Sequence, residues 1–235
     1  MTAKEILKEL KALGSENTRK TLMRHGAQDP CFGVKVGDLQ KIRKKIKVDH
    51  QLALDLYESG NYDAMYLAGL IADDEKMTKT DLRRWAKQAY GGSLPAYTVP
   101  WVATGSKHGQ ALALEWIEAK DPRIASIGWS TQSSLMSVKE DTELDLPSLK
   151  NLLKRVQREI HKSPNEVRET MNQFVIGLGC FVAPLSDIAM KAAEKIGEVT
   201  VDHGGTACKT PFAPDYIRKV EKMGRIGKKK KTAKC

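Results

Sequence analysis

The sequence predicts an all-α protein, and three observations carry that expectation. Apolar residues recur at i, i+3 and i+4 in nearly every segment, a capping residue precedes most of those segments, and Gly, Pro or a polar break follows them. No stretch shows the apolar–polar alternation of a half-buried strand. The segments are many and short, which suits stacked helix pairs better than a four-helix bundle of fewer, longer helices. Pairs that rotate slightly against one another build a solenoid with an extended concave surface. No exact internal repeat accompanies the pattern, so repetition is read from helix spacing.

Each element follows from local signals. Thr2 caps an amphipathic N-terminal helix, and Ser15 caps one running through His25 to Gly26. Asp38 stands in the first turn of a helix carrying Leu39, Ile42 and Ile46. Asp49 caps a helix through Leu52, Leu56 and Tyr57 to Gly60, Thr80 one through Leu82 and Trp85 to Gly91, and Ser106 one carrying Leu112, Trp116 and Ile117. Pro147 sits where a first-turn proline is tolerated, before Leu149, Leu152, Leu153 and Val156, and Pro164 and Pro184 mark two more starts.

With 41% apolar residues among 235, the chain has enough material for a sizeable core. Its net charge of +10 is unevenly spread. Nine Lys or Arg and a single acid, Glu221, fall between Arg218 and Cys235, leaving the rest of the chain at +2. The reading is therefore a helical-repeat domain over residues 1–220 and a basic, disordered tail over 221–235, whose stretch Gly227 to Lys234 is too charged to pack. Nucleic-acid binding by the domain itself requires charge segregated onto one face.

The four cysteines, Cys31, Cys180, Cys208 and Cys235, form no Cys-x-x-Cys pair, which argues against a zinc ribbon or a redox dithiol. His203 and Cys208 make only two potential ligands, and the other histidines lack ligand spacing, so no metal and no cofactor are expected. The longest apolar run, Phe174 to Leu185, falls short of the roughly 20 residues that span a bilayer, and the N-terminus lacks a signal-peptide core. A cytoplasmic protein without membrane contact is expected.

Two cationic clusters are candidates for phosphate contact. Lys41, Arg43, Lys44, Lys45 and Lys47 form the first. The second comprises Lys150, Lys154, Arg155, Arg158, Lys162 and Arg168, within which Lys150, Lys154, Arg158 and Lys162 recur every four residues and make one stripe. Both also fit a solvated helix face. Trp101, Trp116 and Trp129 suit either base stacking or core packing. In the loop Asp202 to Pro211, Gly204, Gly205 and Thr206 offer backbone N–H groups and Lys209 a charge, fitting an anion-binding loop or a plain glycine turn.

Several stretches carry a family likeness: Cys31-Phe32-Gly33-Val34-Lys35-Val36-Gly37-Asp38 and the cationic helix after it, the helix pair from Asp55 to Ile71, Asn165 to Gly177, and Gly204 to Lys209. Together they resemble the DNA alkylation repair family, whose best-known members are alkylpurine DNA glycosylases built from HEAT-like helical repeats. The resemblance implies an α-α superhelix, a HEAT-like solenoid, with duplex DNA, alkylated or otherwise distorted, as partner.

It also implies where chemistry belongs. Active members are expected to place a Trp and, four residues later, an Asp on one helix face, with an Arg from a nearby helix. By helix order these fall near Ala96, Pro100 and Ile127, and none of the three is present. The residues four beyond Trp85, Trp101, Trp116 and Trp129 are Ala89, Gly105, Lys120 and Ser133. A shifted site can borrow Trp101 for stacking and Arg123 as cation, but no acid lies between Asp81 and Glu115 to complete it. The expectation is a duplex-DNA binder without strong glycosylase activity. The alternatives are an active alkylpurine DNA glycosylase with displaced catalytic residues and a protein-binding scaffold.

Overall fold

The computed structural model describes residues 1–234, and among them every regular element is helical. The chain forms two compact units. The first spans Met1–His108, with Gly204–Thr206 and Lys234 added to it. It contains α1 (Ala3–Leu13), α2 (Glu16–Arg24), α3 (Val36–Ile46), α4 (His50–Glu58), α5 (Tyr62–Ile71), α6 (Lys79–Gln88) and α7 (Val99–Gly105), the last entered through a π-helical turn at Leu94–Thr98. The second spans Gly109–His203 and Ala207–Ala233. It contains α8 (Gly109–Ile117), α9 (Pro122–Val138), α10 (Leu146–Glu159), α11 (Asn165–Phe181), α12 (Ser186–Ile196) and α13 (Ala213–Lys222).

Local signals set most starts. Thr2 and Glu5 form a reciprocal capping box, and Ser15, Asp49 and Asn61 accept the backbone N–H groups of Thr18, Leu52 and Ala64. Two expected starts move. Thr78 rather than Thr80 caps α6, because Asp81 closes its capping box, and Ser106 ends α7 while α8 begins at Gly109. Pro147 does stand in the first turn of α10.

In the first unit, α5 is buried on every side, so it is the central helix around which the others pack. Its small residues permit that: a methyl group at Gly69 would stand 2.5 Å from the Thr98 Cγ2. Tyr57 of α4 stacks on Trp85 of α6 at 3.9 Å between ring centroids and donates its hydroxyl to the Trp85 carbonyl. A second anchor is Asp63, only 1% exposed, which accepts the backbone N–H groups of Phe32, Gly33 and Val34 at 2.7, 3.2 and 2.8 Å. Gly33 passes so close to α2 at φ +77° that a methyl group there would lie 2.5 Å from the Ser15 carbonyl.

In the second unit, α9 and α11 carry the core, with Trp129 edge-on to Phe174 at 5.2 Å. α10 contributes Leu149, Leu152, Leu153 and Val156, and α13 inserts Ile217 against Gly179. Together, α11 and the segment Ala183–Ile196 are apolar enough to raise the question of a membrane span, but the chain bends by 114° between them and both supply core residues. Among the described residues no single helix is long and apolar enough to cross a bilayer.

The C-terminal segment differs from the disordered tail expected over 221–235. α13 continues through Lys222, the Gly227 N–H donates to the Cys180 carbonyl, and the Lys230 N–H donates to Ser137. Lys229, with a side chain 8% exposed, donates to the Met136 and Phe181 carbonyls and pairs with Asp141 at 2.7 Å. Those carbonyls belong to the last turns of α9 and α11, where backbone acceptors lack helical partners, so a buried ammonium satisfies them. Within the first unit, Lys234 Nζ lies 2.7 Å from Asp74 and bonds the Ala72 carbonyl. Composition alone hid this, because the lysines act as caps on helix ends distant in sequence. Cys235 lies outside the described residues.

Candidate nucleic-acid interface

Four apolar residues hold α10 to its core, and the opposite face is cationic. Lys150, Lys154 and Arg158 are exposed along α10, with Lys162 exposed in the 3-10 turn that extends it. Four residues of helix rise about 6 Å, so these heads form a row rather than a point. Among the described residues Lys150, Lys154 and Lys162 make no ion pair, and Arg158 meets only Glu159, at 3.5 Å.

The other two members of the cluster are committed elsewhere. Arg155 bonds both Glu118 and Glu159 and lies 6.0 Å over the Trp129 ring. Burial opposes its charge, but the hydrogen bonds to Glu159 and Glu118 outweigh that and raise its pKa. Arg168 donates to the Thr200 and Ser163 carbonyls and so fastens the loop after α12. These two support the row and do not extend it.

On α3, Lys41 pairs with Asp38 at 2.7 Å and Lys45 with Glu9 at 3.1 Å, while Lys44 and Lys47 are exposed and Arg43 bonds Gln40. This face is therefore partly neutralised by its own acids.

The positions where the resemblance places catalysis are apolar or bonded internally. Ala96 and Pro100 stand in and just after the π-helical turn, and Ile127 is fully buried in α9. Trp101 is 4% exposed, edge-on to Tyr66 at 5.5 Å, and so is a core residue rather than the stacking surface expected of it; a Trp whose helix faces inward buries its whole ring. Arg123 pairs with Asp121 at 2.7 Å at the start of α9, closing that helix cap instead of standing free. Trp116 and Trp129 are core residues as well.

In the loop after α12, Gly204 and Gly205 take φ of +63° and +71°, two left-handed residues in succession rather than the alternating pair that forms an anion nest. His203 Nε2 sits 3.1 Å from the Thr210 hydroxyl across the loop base, and Lys209 is exposed. Burial pushes the Cys31 and Cys180 thiols up to about 11, so neither is a nucleophile near neutrality. Among the described residues no group of three or more His, Cys, Asp or Glu is placed to hold a metal.

Comparison with known proteins decides the family. The family model described as "DNA alkylation repair enzyme" matches residues 6–175. The chain belongs to the DNA alkylation repair family. Its relatives include an uncharacterized protein of Listeria monocytogenes, 35% identical over 93% of this chain and 97% of that one, and another of Listeria innocua, 34% identical over the same shares. A solved structure described as "a new family of proteins related to the HEAT-like repeat DNA glycosylases with affinity for branched DNA structures" superposes with a TM-score of 0.92 at 36% identity, covering 100% of both chains. The fold of this family member is accordingly the HEAT-like helical repeat.

Proposed function

We propose that this protein binds DNA through its backbone phosphates, using the row Lys150, Lys154, Arg158 and Lys162, on intact duplex and on distorted or branched forms. The observation that carries the reading is the exposure of that row on a helix whose other face is core, with three of its four charges unpaired among the described residues. Charges held in a row on a rigid helix neutralise successive phosphates without reading sequence. The affinity for branched DNA ascribed to the solved relative supports extending the reading beyond plain duplex.

The reading assigns little or no base excision. Excision needs a carboxylate to stabilise positive charge developing on the sugar, and the expected positions hold Ala96, Pro100 and Ile127.

Titrating blunt duplexes of different sequence across a salt series tests the binding surface. Lys154→Gln with Arg158→Gln should weaken binding alike on all sequences and lower the slope of log affinity against log salt by about two, one per lost phosphate contact. An unchanged affinity and slope in folded protein would reject the row as the interface.

A further inference from the structure

A second surface of the same unit has a different chemistry. α13 is fixed by Ala213, Pro214 and Ile217, which are buried, the last against Gly179 of α11. Its outer side is unusually apolar for an exposed surface: Phe212 is 41%, Tyr216 48% and Met223 57% exposed. The Tyr216 N–H donates to the Phe212 carbonyl at 3.1 Å, so the two rings stand one turn apart. Lys219 and Met223 follow at helical spacing, placing all four side chains along one line of the helix.

Cations outnumber acids around this line. Arg218 is shared between Glu194 and Asp215, so the acid nearest the rings is only partly offset. Lys219 and Lys222 are exposed and make no ion pair among the described residues, and Arg225 and Lys228 are exposed beyond them. From Lys219 to Lys228 the one acid is Glu221, and it lies about half a turn around the helix from the Phe212–Tyr216 line.

Two exposed aromatic faces one turn apart and flanked by unpaired cations have the makings of a single-strand platform: bases stack on rings regardless of sequence while cations follow the phosphates. We infer that the Phe212–Tyr216 line of α13, with Lys219 and Lys222, stacks unpaired bases of single-stranded or branched DNA. This inference rests on the DNA-binding reading above and adds a base-contacting surface to it. Phosphate contacts along α10 do not distinguish paired from unpaired DNA, whereas a stacking surface engages only bases that have left the helix.

The test uses full-length protein, a twelve-nucleotide oligo(dT), a blunt duplex, and that duplex carrying the oligo(dT) as an overhang. Phe212→Ser with Tyr216→Ser should weaken binding to oligo(dT) and to the overhang substrate by about tenfold or more, the scale of one lost stacked base. Blunt-duplex binding should change less than about twofold. Tyr216→Trp should keep full affinity, and its exposed indole should be quenched by oligo(dT). If the double variant folds poorly, the Tyr216→Trp quench decides alone.

Undiminished oligo(dT) binding by the folded double variant, equal losses on oligo(dT) and blunt duplex, or an unquenched Trp would each overturn the inference. Loss of binding to anionic phosphatidylglycerol vesicles without loss on oligo(dT) would assign the face to a lipid surface instead. Wild-type protein that binds blunt duplex but not oligo(dT) sinks this inference and leaves the DNA reading standing. Protein that binds neither sinks both.

Discussion

Single buried charges decide much of this structure. Asp63 satisfies three consecutive backbone N–H groups of the Phe32–Val34 loop from inside the core. Removing it leaves those donors unpaired, so Asp63→Ala should destabilise the protein by about 3 kcal/mol or more, read from denaturant unfolding. Lys229 is the reciprocal case, a buried ammonium on two helix-end carbonyls and Asp141. Lys229→Ala should cost about 3 kcal/mol, as when one partner of a buried pair is deleted, while Lys228→Ala, exposed, should change stability by less than about 0.5 kcal/mol. Asp74 carries a pH signature. Burial raises its pKa to about 6, against the opposing charge of Lys234. Between its unfolded value near 3.8 and about 6, the folded state holds a proton that the unfolded state has released. Stability contributed by this group is therefore full below about 4 and lost as pH rises through about 6. Carboxyl NMR of the native protein should show an Asp midpoint near 6 that disappears in Asp74→Asn.

At the level of elements, helices with a capping residue and an amphipathic stripe were legible, and their edges were less so. Ser15, Asp49 and Pro147 marked α2, α4 and α10 because each signal is local to the first turn. α6 starts two residues earlier than Thr80 suggested, since Thr78 and Asp81 satisfy each other and Thr80 has no such partner three residues on. α10 repeats the same logic on its surface. Its row of cations was visible as a four-residue period, but the sequence did not show that Arg155, inside the same run, turns back onto Glu118 and Glu159. Arg155→Gln is therefore expected to lower stability by about 1 kcal/mol, through lost partly buried hydrogen bonds, with little effect on the salt slope of DNA binding. The contrast with Lys154→Gln and Arg158→Gln separates a support from a contact.

Across the whole chain, the +10 charge does not belong to a loose appendage. Truncation after Val220 removes the Lys229 bonds from the second unit and the Lys234 pair from the first, and should lower the melting temperature by several degrees in a thermal scan. A wholly disordered tail would leave it unchanged. The same truncation removes exposed lysines, so weak-salt DNA affinity should fall too, which makes the melting scan the discriminating measurement.

By itself the sequence determined the all-α class, the succession of short capped helices and the family likeness, because helix period and capping are written within a turn or two of each residue. It also showed that the expected Trp-x-x-x-Asp pair is missing. Only the tertiary structure decided which charges remain available to a partner. Whether Lys150 faces solvent while Lys229 closes two helix ends depends on what the fold brings beside each, and a lysine's sequence neighbours carry no record of a carbonyl 93 positions away.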